Sequence, residues 1–451
     1  MKFYSTKIIA TVGPACFNKN ILKKMISAGV NAFRINTAHG SFEEYSSFVS
    51  LIKEVSPELP IIIDLKGPEV RVGLKREVKI KKSQELSFGF SSKDEFYFNK
   101  NFYSKISVGT KILFEDAKYS AKVISKKDNK LVLKFLTNSI LRNNKGVNIP
   151  SVNLGLSFLS KKDSKVIEWA KKKKLSFFAL SFCRSAADLI LLKKRTGLDS
   201  ILIAKIESKE GVKNYSEILT ACDGVIVARG DLGAEVKRES IPLLQKKLVK
   251  QAINTGKFSV VATQMLESMI ENNYPTRAEI NDIANSVLDG ADCLMLSGET
   301  SIGNNPVTVV KEMRLACEEV EEQVPNFVKT FFRKSISDSI TKTIFQLSKY
   351  LEINKIIAFT KSGFTPQMIS RFRTKIPIFG LTWSKRTLKL LSLYFGVFPL
   401  LLSKKQKINS TQAIVLLKRK KFLKKDETVI ITGNNSQQEQ HSNLIEVQKV
   451  K

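Results

Sequence analysis

Short runs that are apolar at every position recur along the chain, and each is followed by a stretch with helical apolar spacing. Continuously apolar runs predict strands buried on both faces, as in a parallel sheet covered by helices. Three of these runs precede residue 68, and five more lie between residues 177 and 296. The predicted strands are 7–12, 31–36, 60–65, 177–182, 200–207, 224–229, 258–263 and 291–296.

Eight strand–helix units predict a (β/α)₈ barrel of the TIM type, an α/β fold whose active site lies at the carboxyl ends of the strands. An open, doubly wound sheet is the structural alternative. Neither G-x-G-x-x-G nor G-x-x-x-x-G-K-[ST] occurs in the chain, which argues against the nucleotide-binding folds of that kind.

Two segments interrupt or follow this pattern. Short alternating stretches between residues 69 and 150 predict a small all-β insertion. Strands at 356–360, 377–382 and 428–432 alternate with helices near the end of the chain and predict a separate α/β domain. The predicted division is a barrel from 1–68 and 151–325, a β insertion at 69–150 and a C-terminal domain at 326–451.

Composition excludes several classes of protein. With 74 Lys and Arg against 42 Asp and Glu, the formal net charge is +32, which attracts polyanions and small phosphorylated molecules alike. Few aromatics accompany the lysine runs, so we expect no dedicated nucleic-acid partner. No apolar run approaches the roughly 20 residues of a membrane span. The five cysteines are scattered and the start of the chain has no secretion signal, so we expect a cytoplasmic protein.

Charged and hydrogen-bonding residues stand at the carboxyl ends of five predicted strands. In a barrel these ends meet at one rim, so such residues together indicate a functional site. They are Arg34, Asn36 and His39 after strand two, Asp64 after strand three, Lys205 and Glu207 after strand five, Arg229 and Asp231 after strand six, and Thr263 after strand seven.

The residue types indicate phosphoryl transfer. Glu207 and Asp231 follow adjacent strands, and two carboxylates with substrate oxygens are a usual way to bind Mg²⁺. Arg34 and Lys205 supply positive charge for a phosphoryl group. The Thr263 hydroxyl is placed to relay a proton through water. Catalysis of this kind depends on positioning and charge stabilisation, with no covalent nucleophile.

Long motifs in the chain resemble those of the pyruvate kinase family. They are TKIIATVGP from Thr6, ILIAKIESKEGV from Ile201, GVIVARGDLG from Gly224, ATQMLESMI from Ala262, PTRAE from Pro275 and LDGADCLMLSGET from Leu288. The likeness runs from Thr6 to about Pro399. The resemblance implies that the β insertion is a small β-barrel lid, and that the chain transfers the phosphoryl group of phosphoenolpyruvate to ADP. The products are pyruvate and ATP, in the final step of glycolysis.

The resemblance also implies a role for each matching residue. Lys205, Thr263 and Arg34 would be catalytic, and Mg²⁺ or Mn²⁺ would be bound by Glu207 and Asp231. The substrate would lie against Ala228, Arg229, Gly230, Asp231, Thr263 and Arg34. The nucleotide phosphates would face Asn36, His39, Arg71 and Lys145. Family members are usually homotetramers, so we expect a homo-oligomer of that size.

The family's K⁺ site is altered in this chain. Asn36, Asp64 and the Leu65 carbonyl match ligand positions, but Ala38 stands where the family has a serine. Thr37 replaces a usual phenylalanine. Glu69 occupies the position where K⁺-dependent members carry glutamate, so we expect that K⁺ activates the protein with weakened affinity.

The C-terminal segment contains a loop that matches the family's effector site. Hydroxyls and backbone N–H groups at a strand-to-helix turn suit a phosphate, although a simple helix cap at Thr365 explains the same residues equally well. The loop residues are Thr360, Lys361, Ser362, Gly363 and Thr365. A second effector loop is glycine-rich in the family, but residues 433–440 contain one glycine here, which argues against allosteric control.

Two other functions compete with the enzyme. A barrel without turnover would use its positive surface to hold RNA or other polyanions, but the retained Lys205, Glu207, Asp231 and Thr263 argue against this. A lyase that binds phosphoenolpyruvate or pyruvate is the third interpretation. The β insertion, with Arg71 and Lys145 around it, favours a nucleotide substrate instead.

Overall fold

Eight parallel strands close into a barrel in which neighbours in the chain are neighbours in the sheet. The computed structural model describes residues 3–115, 117–150, 152, 154–325, 335–403, 408–433 and 444–451. The barrel strands are Lys7–Thr11, Val30–Asn36, Ile61–Leu65, Phe177–Leu180, Ile201–Ile206, Gly224–Ala228, Phe258–Ala262 and Cys293–Leu296. The first strand closes the barrel by pairing with the eighth, Lys7 opposite Cys293. The predicted barrel is confirmed.

The barrel strands are apolar throughout because both of their faces are covered. Ile62 and Ile203 point into the barrel, whereas their neighbours Ile63 and Leu202 pack against the surrounding helices. Successive side chains of a strand point to opposite faces, so each strand contributes to two cores at once.

Helices follow the barrel strands and cover the outside of the barrel. Several begin at capping boxes, in which a Ser or Thr side chain and an acid three residues later bond each other's backbone N–H, as Ser41 and Glu44 do. The helices are Lys19–Ser27, Phe42–Val55, Lys161–Lys172, Ala186–Thr196, Lys209–Lys213, Tyr215–Ala221, Arg229–Glu235, Ile241–Thr255, Arg277–Leu288, Gly298–Ser301 and Pro306–Glu321. None in the described part of the chain is long and apolar enough to cross a membrane.

The segment of residues 70–148, between the third barrel strand and helix Lys161–Lys172, forms β-strands and one short 3₁₀ turn at Tyr103–Lys105, as the alternating pattern predicts. Its antiparallel sheet has seven strands and packs around a cluster of aromatic rings that includes Phe88, Phe98, Phe114 and Phe135. In sheet order the strands are Glu85–Phe88, Lys130–Phe135, Tyr119–Lys127, Lys111–Phe114, Gly146–Asn148, Val70–Leu74 and Phe96–Phe98, and Val78–Ile80 pairs separately with Ser139–Leu141. We call this unit the lid.

The C-terminal unit is a five-stranded sheet with helices, and the sequence analysis missed two of its strands. In sheet order the strands are Val397–Leu401, Ile378–Thr382, Ile353–Phe359, Thr428–Gly433 and Leu444–Lys449. Both missed strands, the first and the last, lie at the edges. The helices are Ile336–Tyr350, Phe364–Ser370, Lys385–Leu391 and Ser410–Arg419.

The C-terminal unit packs against the amino-terminal end of the barrel, opposite the rim that carries the predicted site. Arg373 forms a buried ion pair of 2.9 Å with Asp292 and donates to the Gly290 carbonyl. The interior core of the barrel continues through this junction to Leu391 and Tyr394. This end of the barrel is therefore a packed domain interface.

The first residues of the chain run along the same junction and contact both units. The Phe3 ring packs edge-on against Phe398 at 4.9 Å, within the C-terminal unit. On the barrel side, the Ser5 and Thr6 N–H groups donate to the Glu321 carboxylate at 2.9 and 2.8 Å. Gly396 N in turn donates to the Ser5 carbonyl. The segment thus ties the barrel to the C-terminal unit.

Lys7 is a buried amine within this junction. Its Nζ donates to the Tyr4 carbonyl at 3.1 Å and lies 4.2 Å from the centre of the Phe398 ring. Burial, and then the charge of Arg314, lower the pKa of Lys7 to about 7. The folded protein therefore holds this amine mostly uncharged above neutral pH, whereas the unfolded chain keeps it protonated.

Lys7→Met should weaken the rise of stability with pH. The pKa of Lys7 is lower in the folded state, so the unfolded chain binds more protons between about pH 7 and about pH 10, and stability rises with pH across that window. Thermal unfolding midpoints from pH 6.5 to 9 should show a smaller rise in the variant, with its largest gain in stability at the acidic end. Lys100→Met, at an exposed lysine, is the control. Equal pH dependence in parent and variant would contradict the expectation.

Candidate active site

A network of buried charges lies at the carboxyl ends of the second, third and fifth barrel strands. Arg34, Asp64, Lys205 and Glu207 are each less than 10% exposed. One Asp64 oxygen accepts from Arg34 Nε at 2.7 Å, and the other lies 3.3 Å from Lys205 Nζ. Lys205 Nζ is also 2.9 Å from Glu207 Oε1. The network joins two cations and two carboxylates that the sequence places in the site.

Mutual pairing keeps Lys205 and Asp64 charged. Burial alone would lower the pKa of Lys205, but the Asp64 and Glu207 carboxylates outweigh it and raise the pKa above the ordinary lysine value. Burial alone would raise the pKa of Asp64, but Lys205 and Arg34 hold it below its usual range. The rim therefore carries a fixed ammonium and a fixed guanidinium at neutral pH, as binding an anionic phosphoryl group requires.

Glu207 and Asp231 are the two carboxylates predicted to hold a divalent cation. Glu207 follows the fifth barrel strand and accepts from Phe182 N at 2.7 Å, which leaves Oε1 toward Lys205. Asp231 lies in the first turn of helix Arg229–Glu235, and its charge also raises the pKa of Lys205. The described residues contain no cluster of three or more acids, histidines or cysteines suited to a metal. Two carboxylates completed by substrate oxygens and water suit Mg²⁺.

Thr263 is held in a strained backbone conformation at the end of the seventh strand. Its φ is +70° and that of Gln264 is +56°, a region that β-branched residues rarely adopt. The Thr263 hydroxyl accepts from Gly230 N at 2.9 Å, so Thr263 lies beside the start of the helix that carries Asp231.

The Arg229 side chain faces away from this rim. Its guanidinium donates to the Thr263 carbonyl at 2.6 Å and pairs with Asp282 at 2.6 Å. This part of the predicted substrate surface therefore consists of the backbone from Ala228 to Gly230, and the arginine side chain braces the strained turn at Thr263.

A second group of predicted residues lies between the barrel rim and the lid. Asn36 and His39 follow the second strand, while Arg71 and Lys145 belong to paired lid segments, where Val72 N donates to the Lys145 carbonyl. Arg71 Nη2 pairs with Glu69 at 2.7 Å. Burial, and then the charges of Arg71 and Lys66, lower the pKa of His39, so this exposed imidazole is neutral at neutral pH.

A cleft of about 700 Å³ separates the lid from the barrel. Asp231 lines it from the barrel side, and Glu69 and Val147 line it from the lid side. A volume of this size is typical of small-molecule sites. The proposed metal ligand Asp231 therefore lines a cleft that is partly open to solvent.

Comparisons with known proteins agree with this geometry. Residues 3–310 match the family model described as pyruvate kinase, barrel domain, and residues 338–448 match pyruvate kinase, alpha/beta domain. The chain belongs to the pyruvate kinase family. The likeness extends beyond Pro399, the limit expected from the sequence, to residue 448.

Relatives named pyruvate kinase occur in distant organisms. The protein from Thermoplasma acidophilum is 37% identical over 402 residues, covering 88% of this chain and 73% of the relative. That from Geobacillus stearothermophilus is 36% identical over 416 residues, covering 87% and 71%. That from Chlamydia pneumoniae is 34% identical over 427 residues, covering 89% and 88%.

The residues at the altered K⁺ site already have partners in the chain. Asn36 Oδ1 accepts from Ala38 N at 3.1 Å, and the Thr37 hydroxyl donates to the Asp64 carbonyl at 2.7 Å. The Thr37 hydroxyl is therefore turned to the backbone of the third strand. Of the four expected ligand positions, Asn36, Asp64 and Leu65 keep an oxygen that could bind the ion, whereas Ala38 has no hydroxyl.

The predicted effector loop forms a strand-to-helix turn. Thr360 Oγ1 accepts from Gly363 N at 2.8 Å, and Gly363 has a φ of +97°. The prediction that Thr365 caps the helix is wrong: the N-cap is Gly363, and Thr365 is buried inside helix Phe364–Ser370. Lys361 and Ser362 are exposed. The second effector loop, apart from Gly433, lies outside the described residues, as does Asp116 in the lid.

Ser181 is a site residue that the sequence analysis missed. Its hydroxyl accepts from Lys205 Nζ at 2.8 Å and donates to Asp64 Oδ1 at 3.3 Å, between the two. It follows the fourth barrel strand, whose carboxyl end reaches the same rim. That position is the signal that would have found it.

Lys205→Met should destabilise the fold far more than Ser181→Ala. Without the ammonium, Glu207 keeps its bond from the Phe182 N–H but stays buried near Asp231, and an uncompensated buried charge costs about 3–5 kcal/mol. Ser181→Ala removes a neutral hydroxyl and should cost about 1 kcal/mol. Urea unfolding at pH 7.5 measures both. Similar losses in the two variants would show that Lys205 does not carry the charge balance of the site.

Proposed function

We infer that the protein is a pyruvate kinase that transfers the phosphoryl group of phosphoenolpyruvate to ADP, giving pyruvate and ATP at the end of glycolysis. The observation that carries this is the rim constellation of Lys205, Glu207, Asp231 and Thr263, on a barrel of this family with the lid opposite. The direct test is pyruvate formation by the purified protein from phosphoenolpyruvate, ADP and Mg²⁺.

Each side chain has a proposed part in the reaction. Arg34 and Lys205 bind the phosphoryl group and stabilise its charge during transfer, which is what fixed cations contribute to such transition states. The backbone at Ala228–Gly230 binds the substrate carboxylate, and Thr263 orients the water that protonates the enolate. Glu207 and Asp231 hold Mg²⁺ or Mn²⁺, which when bound supplies positive charge to substrate oxygens.

The nucleotide is proposed to enter between the lid and the second barrel strand. Asn36, His39, Arg71 and Lys145 face its phosphates. The lid has its own aromatic core, and its polar contacts with the barrel include the long Arg238 bond to the Ala117 carbonyl. A unit held in this way can close over the substrates and exclude water.

Several further features of the family are proposed for this chain. The division into barrel 1–68 and 151–325, lid 69–150 and C-terminal domain 326–451 follows the strand bounds. Exposed Leu243, Tyr274 and Ile302 on the barrel support a homotetramer, which ultracentrifugation measures. The five cysteines are free, as in a reducing cytoplasm. Exposed Lys361 and Ser362 support phosphate binding at the effector turn.

Asp231→Asn should abolish most turnover while the fold survives. The substitution keeps the size of the side chain but removes one of two anionic metal ligands, and metal stabilisation of the transition state contributes several kcal/mol. We expect kcat/KM at ordinary Mg²⁺ to fall by about 100-fold or more, with partial recovery at high Mn²⁺. Glu210→Gln, at another acid lining the same cleft, is the control and should stay near parental activity. Parental rates in Asp231→Asn would refute the assignment.

K⁺ should activate the parent protein, but with weak affinity. The negative charge of Glu69 requires a balancing cation. Within the described chain, Arg71 supplies part of this positive charge, and Lys66 Nζ lies 4.0 Å from the Glu69 carboxylate. Ala38→Ser should lower the half-activating K⁺ concentration, by up to about ten-fold, because a fixed hydroxyl replaces an ordered water. Glu69→Lys should reduce the K⁺ requirement by supplying the charge covalently. Assays at constant ionic strength with tetramethylammonium, and without sodium, test this. Full activity of the parent without K⁺ would contradict this prediction. It would indicate that the K⁺ site was lost together with the hydroxyl at residue 38.

A further inference from the structure

Lys162 lies against the loop that connects the second barrel strand to its helix. Its Nζ donates to the Tyr45 hydroxyl at 3.0 Å and reaches the Gly40 carbonyl at 3.4 Å. The Tyr45 hydroxyl is itself 3.2 Å from the Thr37 carbonyl. The loop between Thr37 and Gly40 carries His39, so the Lys162 ammonium stands at the edge of the proposed nucleotide site.

The neighbouring Asp163 fixes this placement. Its carboxylate accepts from Lys66 N at 2.8 Å and Gly67 N at 3.1 Å, in the turn that follows the third barrel strand. It also accepts from the Ser160 N–H and hydroxyl at 2.8 and 2.6 Å. The first turn of helix Lys161–Lys172 is thereby fastened to the rim, and Lys162 is held between the ends of the second and third strands.

The charge of Lys162 is not balanced by an ion pair within the described residues. In that part of the chain no carboxylate oxygen lies within 4 Å of its Nζ, whereas Arg71 is paired with Glu69 at 2.7 Å. Lys162 is half-buried, and this burial lowers its pKa. The nearby Asp163 carboxylate acts on Lys162 but is itself bonded to the Lys66, Gly67 and Ser160 N–H groups, so a ligand anion in direct contact would stabilise this half-buried ammonium further.

The His39 loop beside this cation already lies among several positive charges. The charges of Arg71, Lys66 and Lys162 all reach the His39 imidazole. Glu69, an acid that also acts on His39, is shared between Arg71 and Lys66. Such a surplus of positive charge suits a polyphosphate, which carries several negative charges and many acceptor oxygens.

Resting on the proposed function, we propose that Lys162 is a further nucleotide-binding residue, whose ammonium contacts the diphosphate of ADP from the barrel side. Arg71 and Lys145 approach the same phosphates from the lid. The diphosphate is thus bound by the barrel on one side and by the lid on the other. Because the contact involves the nucleotide and not the enolate, the loss should appear in ADP binding and leave phosphoenolpyruvate binding unchanged.

Lys162→Met should raise KM for ADP, and the Kd of Mg·ADP measured by calorimetry, by roughly ten-fold, the usual weight of one charge-assisted contact. KM for phosphoenolpyruvate should stay within about two-fold of the parent. Lys162→Arg should recover much of the loss. Lys161→Met is the matched control: Lys161 is adjacent and exposed, so the net charge changes equally without the contact.

Tyr45→Phe distinguishes nucleotide binding by Lys162 from a purely structural contact between Lys162 and the loop. It removes the hydroxyl that Lys162 contacts but keeps the ammonium, so it should weaken ADP binding much less than Lys162→Met. Equal losses in the two variants, an unchanged Kd in Lys162→Met, or the same loss in Lys161→Met would overturn the proposal. Calorimetry needs no turnover, so absent pyruvate formation would refute the proposed function alone. A parent that does not bind Mg·ADP would refute this proposal as well.

Discussion

The active rim depends on one buried carboxylate, Asp64, held between Arg34 and Lys205. A buried charge is tolerated only when it is paired and hydrogen-bonded, so the ends of three strands must meet within hydrogen-bond distance. The barrel meets this requirement through its register, which sets Asp64 beside Asn36 on one side and Ala179 on the other. The same pairing keeps Lys205 charged. Stability and chemistry therefore rest on the same side chains.

Much of this arrangement can be predicted from the sequence because strands covered on both faces are continuously apolar. Of the two missed strands, one is apolar but contains a proline, and the other is not continuously apolar. Val397–Leu401 contains Pro399, which lacks an N–H and is tolerated because this strand lies at the edge of the sheet. Leu444–Lys449, at the opposite edge, mixes polar and apolar residues because one side is exposed. Sequence patterns report burial, and edge strands are the least buried.

In the candidate site, the sequence pattern encodes the position of a residue, whereas the packing of the fold decides where its side chain points. Rim position is encoded, because a charged residue directly after an apolar barrel strand lies where the strands converge on the site. The direction in which a side chain points is not encoded in this pattern. Arg229 turns toward Asp282 and the Thr263 carbonyl because those acceptors lie behind the rim. The position of Ser181 after a barrel strand is likewise encoded, but its contacts with Lys205 and Asp64 are visible only in the folded structure.

The closure of the barrel by its first and last strands has a consequence for synthesis on the ribosome. Lys7 pairs with Cys293, and Ser5 and Thr6 bond to Glu321, so these residues are synthesised long before their partners. Until then the first strand has one open edge, with its apolar residues exposed. Contacts so distant in sequence close slowly. Nascent chains stalled before residue 293 therefore lack a closed barrel. Because their apolar residues stay exposed for a long time, these chains are candidates for chaperone protection.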